Sequence, residues 1–203
     1  MPAKLILIIV ALFIFQSCAA PINQRNADKY YAAAVSAQHS GDWWNSRMYF
    51  ARAISNAELA GAPSKGLAVL WYEYGRSSGV ICDWEEAENG LNKAFELDSK
   101  IGGPAYMSLY ELAQMNYDRE LYPAAIEYFQ RAYSGMEEDQ ADTKDPIGYA
   151  DFLDKYVHAL EQAGRNDLVP QLSARSEKIR AAFTGKESHT EQTPYGTQCQ
   201  AGS

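Results

Sequence analysis

The chain has 203 residues, 47% of them apolar and 22% charged, with a formal net charge of -8 and a pI near 4.9. This is the composition of a globular protein with enough apolar residues for one substantial core, and it excludes a disordered chain. Lys and Arg are scattered and the densest charge run, Glu137 to Asp145, is acidic, so no basic patch exists to displace counterions and nucleic acid is not expected as a partner.

In chain order, Lys4 is followed by the apolar run Leu5 to Phe15 and then by Gln16-Ser17-Cys18-Ala19-Ala20-Pro21. The run falls short of the roughly 20 apolar residues a membrane-spanning helix needs. A basic start, a short apolar stretch and small residues after it predict a secretory leader over residues 1–17. The Cys just beyond resembles the lipobox of bacterial lipoproteins, although Phe15, Gln16 and Ser17 stand where those proteins usually carry Leu and small residues. The resemblance implies lipidation at Cys18, a tether over residues 18–24, and, with the non-acidic Ala19 following, an outer-membrane lipoprotein facing the periplasm. An ordinary leader cut at Ser17-x-Ala19 is the alternative. Cys82 and Cys199 would then remain, an even count that an oxidising compartment permits to pair. The simpler reading leaves Cys82 as a small apolar residue at a helix end and Cys199 in a polar tail, and the sequence leaves the choice open.

Beyond the leader, four segments share one pattern. The first reads Tyr30-x2-Ala33-Ala34-x2-Ala37, then Gly41-Asp42-Trp43-x2-Ser46-x3-Phe50-x2-Ala53. The second reads Trp71-x2-Tyr74-Gly75-x2-Ser78, then Asp83-Trp84-x2-Ala87-x3-Leu91-x2-Ala94. The third is Leu109-x2-Leu112-Ala113-x2-Asn116, then Tyr122-x2-Ala125-x3-Phe129-x2-Ala132. The fourth, Leu153-x2-Tyr156-Val157-x2-Leu160 before Gly164, keeps only the first half, as a capping unit does. Small residues at these places let paired helices cross closely, and large ones fill the gaps beside them. Asp42 and Asp83 are expected N-caps, with Glu86 completing a capping box, and Pro63, Pro104, Pro123 and Pro146 fall in or near first turns. Eight helices are predicted between about residues 25 and 183. After Phe183 apolar periodicity ends, which predicts a disordered polar tail over residues 184–203.

The pattern resembles the tetratricopeptide repeat, W-x2-L-G-x2-Y followed by A-x3-F. It implies an all-α fold, an α-α superhelix of about four helical hairpins over residues 25–183. The turn positions Gly41, Cys82, Glu120 and Gly164 lie 41, 38 and 44 residues apart, against a family period of about 34, so the superhelix is expected to be looser or to carry longer helices. In that family the first helix of each pair lines a concave groove. Carried across by register, the partner-binding positions are Tyr31 and Val35, Tyr72 and Arg76, Tyr110, Gln114 and Tyr117, and Asp154 and His158. Tyrosine combines a rigid apolar face with a hydroxyl and suits binding surfaces, and Arg76 and Gln114 suit a partner's backbone or carboxylate. The same rings would equally serve by packing on the next helix. Arg76 is the only cation expected on that face. The resemblance implies an adaptor or scaffold that binds an envelope protein or peptide segment, with membrane attachment through the lipid anchor; a self-associating structural protein is the alternative.

Catalysis has one candidate. Gly75-Arg76-Ser77-Ser78-Gly79 fits the G-x-S-x-G elbow of serine hydrolases, and Asp151 or Asp154 and His158 follow in chain order. That reading needs a sheet of several strands, and only Leu67 to Tyr72 resembles one, so Ser77 is not expected to be a nucleophile. His39, His158 and His189 lack metal-ligand spacing, and no phosphate loop occurs, so no metal, cofactor or small-molecule substrate is expected.

Overall fold

A computed structural model describes the backbone of residues 2–199 and the side chains of residues 19–199. The side chains of the expected leader and of the lipid-acceptor Cys18, and residues 200–203, lie outside the described residues. Within them the chain forms nine helices and no strand: α1 (Pro2–His39), α2 (Trp43–Ala60), α3 (Ser64–Val80), α4 (Trp84–Ile101), α5 (Tyr106–Asp118), α6 (Tyr122–Glu138), α7 (Ala141–Lys144), α8 (Pro146–Gln162) and α9 (Val169–Ala182). The helix beyond the expected eight is the four-residue α7, inside the acidic linker. Residues 18–24, expected as a tether, continue α1.

Four hairpins stack in order: α1 on α2, α3 on α4, α5 on α6 and α8 on α9. Each hairpin turns at a residue with positive φ, namely Gly41 (74°), Cys82 (68°), Glu120 (58°) and Gly164 (69°). Each turn is closed by the same wide bond: Asp42 N–H to the Ala37 carbonyl, Asp83 to Ser78, Leu121 to Asn116 and Arg165 to Leu160, at 2.8 to 3.0 Å. This left-handed C-cap satisfies carbonyls the helix end would orphan. A repeat legible as sequence is thus a repeat in backbone conformation, even where glycine is replaced.

Packing follows the small residues. Ala34, Ala53, Ala87, Ala94, Ala113, Ala125 and Ala132 are fully buried, as are Phe50, Leu91 and Phe129. A close crossing joins α3 to α4, where a Cβ on Gly90 would stand 2.9 Å from the Gly75 backbone and one on Gly75 would stand 2.8 Å from Leu91 N. Here the two main chains touch, which only glycine permits. The largest core lies under the third and fourth hairpins, where Phe129 stacks on Tyr156 at 5.5 Å and meets Phe152 edge-on. The last helix, α9, buries only Leu172 and Ser176, leaving an outer face polar enough to end the stack.

One capping expectation is corrected. Asp42 accepts the Asn45 N–H at 3.1 Å as an N-cap, but Asp83 makes no such bond. Its carboxylate is drawn instead to Arg47, 2.5 Å away, a charge-assisted pair that outcompetes a neutral amide. Glu86 does not complete a capping box, because it accepts the Tyr74 hydroxyl at 2.8 Å.

Candidate functional site

Residues 184–199, expected to be disordered, run back along the stack and bond side chains of α3, α5 and α8. The entry is clasped by Asp145, the N-cap of α8, which takes Gly148 N–H at 3.0 Å and also bonds Ser188 Oγ, His189 N–H, Thr190 N–H and Thr190 Oγ1 at 2.8 to 3.1 Å. Burial works to raise the Asp145 pKa, but the donors from Gly148, Thr190, Ser188 and His189 outweigh it and hold it below the usual aspartate value.

Deeper in, the tail meets Glu111 of α5, a carboxylate only 6% exposed. Tyr72 OH donates to Oε1 at 2.9 Å, and Thr193 Oγ1 and Tyr195 OH donate to Oε2 at 2.8 and 2.7 Å. Arg76 Nε approaches Oε1 at 3.5 Å and donates to Thr193 Oγ1 at 2.7 Å, while its NH1 bonds Glu73. Buried charge is tolerated here because every oxygen has a donor and a cation stands alongside. Burial, then the Glu111 charge, raises the pKa of Tyr72 and of Tyr195 well above the usual phenol value, which keeps both as hydroxyl donors. Arg76 is pushed down by burial, but Glu111, Tyr72 and Glu73 reverse this and its pKa is raised.

The Tyr195 ring completes a cluster with Ala87, Leu91, Leu112 and Met115. It lies against Gly79, where an added Cβ would come within 2.4 Å of Cε1. Gly196 and Gln198 then donate their N–H groups to the Gly79 and Val80 carbonyls at 3.1 and 3.0 Å. The segment ends in a disulfide between Cys199 and Cys82, with Cα atoms 5.1 Å apart. Of the two readings the sequence leaves open for these cysteines, the structure has the paired one.

The groove residues named from the sequence fall into separate groups. Tyr72, Arg76 and Gln114 converge on the tail, the last with its amide 3.5 Å from the Thr193 carbonyl. Tyr110 packs edge-on to Phe152 at 5.4 Å and walls a cavity of about 520 Å³ beside the tail, shared with Tyr72, Tyr106, Tyr149 and Lys144. Tyr117 and His158 bond each other at 2.9 Å. Asp154 is occupied by Arg180 of α9. Tyr31, 41% exposed, lies at the other end of the stack beside Pro63 and Val69. Arg76 is not the only cation on this face: Lys155 of α8 reaches Gln192 of the tail.

Glu111 itself escaped sequence reasoning. A signal existed, since an acid follows the groove tyrosine in two repeats, Tyr72-Glu73 and Tyr110-Glu111. The G-R-S-S-G motif is absorbed by the fold. Gly75 serves the helix crossing and Gly79 seats the Tyr195 ring, while Ser77 is fully buried and bonds Ser46 Oγ at 3.0 Å and Gln38 at 3.4 Å. His158 bonds Tyr117 and Gln162, and no bond joins it to Ser77.

No protein-family model matches the sequence, and no curated protein matches it. Among solved structures, BtubC (BKLC) from P. vanneervenii is similar at 16% identity and a TM-score of 0.71, over 82% of this chain and 67% of that one. A Podosopora anserina protein of nearly identical TPR-like repeats is similar at 14% identity and a TM-score of 0.59, over 79% of this chain and 77% of that one. The fold is a tetratricopeptide-like solenoid.

Proposed function

We propose that this chain is a protein-binding scaffold of the bacterial cell envelope, lipid-anchored through Cys18, which holds an extended segment of a partner in its tyrosine-lined groove and acts by binding and not by catalysis. The observation that carries the reading is the groove's present content: a peptide without helix or strand, the chain's own tail, engaged by side chains of α3, α5 and α8. A surface that satisfies one peptide's backbone and hydroxyls is chemically suited to another, and such grooves recur in helical solenoids. Fold alone would not carry this step. The Cys82–Cys199 bond supports an exported location, because disulfides persist in oxidising compartments.

Photo-crosslinking and pulldown test the groove. A photoreactive residue in place of Tyr110, on the cavity wall, should trap a defined envelope protein in cells, and an affinity pulldown with a chain that carries Tyr72→Ala and Tyr110→Ala and no photoreactive residue should fail to capture that protein. Capture undiminished by the double change would refute the groove. Labelling with an alkynyl fatty acid should mark the wild type and not Cys18→Ser; equal labelling would refute the anchor.

A further inference from the structure

The tail shows what chemistry the groove selects. Thr193 does two things at once: its hydroxyl accepts from Arg76 Nε at 2.7 Å and donates to Glu111 Oε2 at 2.8 Å. A single atom that both donates and accepts makes this bridge between a guanidinium and a carboxylate; that is a hydroxyl, and Ser and Thr are the residues that carry one on Cβ as Thr193 does. Two residues on, Tyr195 delivers a phenol to the same oxygen at 2.7 Å. Its ring occupies a slot whose floor is the bare backbone of Gly79. Tyr195 N–H bonds the Thr193 carbonyl at 2.9 Å, a three-residue turn about Pro194 that brings both hydroxyls to the one carboxylate. Thr193 is 1% exposed and Tyr195 6%. The tail therefore supplies two of the three hydroxyl donors on a buried carboxylate, and main-chain bonds from Gly196 and Gln198 to α3 add a sequence-independent hold.

We propose that the Glu111 site recognises a peptide carrying Ser or Thr and, two residues later, Tyr, and that residues 193–195 of this chain are its resident occupant, latched by the Cys82–Cys199 bond. The proposal rests on the reading of the groove as a peptide site and names its ligand class and its control. With the latch closed, a partner segment of the same chemistry competes against an occupant that cannot leave. A dithiol opens it: its two sulfurs join as a disulfide while Cys82 and Cys199 each take one proton and become thiols. The tail then exchanges as a tethered ligand, whose local concentration is on the order of millimolar for a short flexible link.

The test uses the full chain and a fluorescein-labelled peptide of residues 190–198, Thr-Glu-Gln-Thr-Pro-Tyr-Gly-Thr-Gln, read by fluorescence anisotropy. The oxidised wild type should not bind it. Cys199→Ser should bind it weakly, and Cys199→Ser with Thr193→Ala and Tyr195→Ala at least tenfold more tightly, because the competitor is disabled. On that triple variant a peptide with Val for Thr and Phe for Tyr should bind at least tenfold more weakly. Equal binding of the two peptides would overturn the hydroxyl-phenol chemistry while leaving a groove that still captures its partner. Binding of neither peptide, in a variant with wild-type circular dichroism, would overturn the proposal; loss of the Tyr110 crosslink as well would mark the groove reading as wrong too. Hydrogen exchange on the wild type reads the latch without any variant: the Gly196 and Gln198 amides should lose protection on adding dithiothreitol, and unchanged protection would overturn the latch.

Discussion

Substituting Gly90 by Ala tests the physical basis of the stack. An added methyl would lie 2.9 Å from the Cα and N of Gly75 and 3.1 Å from the Trp71 carbonyl oxygen, whereas carbon atoms rest at about 3.5–4.0 Å. All three obstacles are main-chain atoms, so no rotamer change relieves them and α3 must move from α4. Overpacking of this kind costs about 3 kcal/mol at its upper range, and alanine returns about 1 kcal/mol of helix propensity. The net loss is about 2 kcal/mol, or a melting temperature lower by roughly 4–8 °C for a chain of this length. Gly66 of α3 provides the opposite sign, because nothing lies within 4 Å of its would-be Cβ. Gly66→Ala should gain about 0.5–1 kcal/mol from propensity alone. Thermal melts followed by far-ultraviolet circular dichroism read both. If Gly90→Ala melted at or above the wild type, as Gly66→Ala should, close main-chain approach would not be what sets the position of this crossing.

Three further outcomes are expected. Tyr195→Phe removes a donor from buried Glu111 and should weaken tail docking by about 1.5–3 kcal/mol, seen as faster exchange at the Gly196 amide; an unchanged rate would contradict the assigned bond. The folded-state pKa of Asp145 is depressed below the ordinary aspartate value of 3.8, so its contribution is complete above that value and lost as pH falls through the depressed one. Protection of residues 188–190 should therefore disappear in acid before the helices melt, and Asp145→Ala should abolish that pH dependence. Phe129→Ala empties a fully buried position among Tyr117, Phe152 and Tyr156 and should cost about 3–5 kcal/mol, measured as a lower urea midpoint at constant slope.

The helical stack was legible because its determinants are local and periodic. Ala at each crossing, Phe129 and Leu91 beside it, and a turn residue free to take positive φ recur at fixed offsets, and periodicity transmits them directly. Glu120 and Cys82 adopt the left-handed turn without being glycine, and were placed by register alone. The tail was not legible, because nothing periodic orders it. Thr193, Tyr195 and Ser188 are held by hydrogen bonds to Glu111 and Asp145, which lie 43 to 84 residues away in sequence, and by one covalent bond. The groove register put Tyr72, Arg76 and Gln114 where the tail lies, but a buried carboxylate at Glu111 reads in sequence as an ordinary solvated acid. Likewise the pairing of Asp154 with Arg180 depends on how the irregular last helix docks, which the broken fourth repeat does not specify.

The bond between Cys82 and Cys199 joins the far end of the tail to the turn of the second hairpin. A solenoid whose units touch only their neighbours has two free ends, and either can peel away one layer at a time. Here the chain is a lasso: the noose runs from Cys82 to Cys199, 117 positions apart, and α1, α2 and α3 lie outside it, where fraying can begin. Pulled from its two termini, the oxidised molecule should extend by the length of that outer part and then stop, while the reduced one unravels along its whole length.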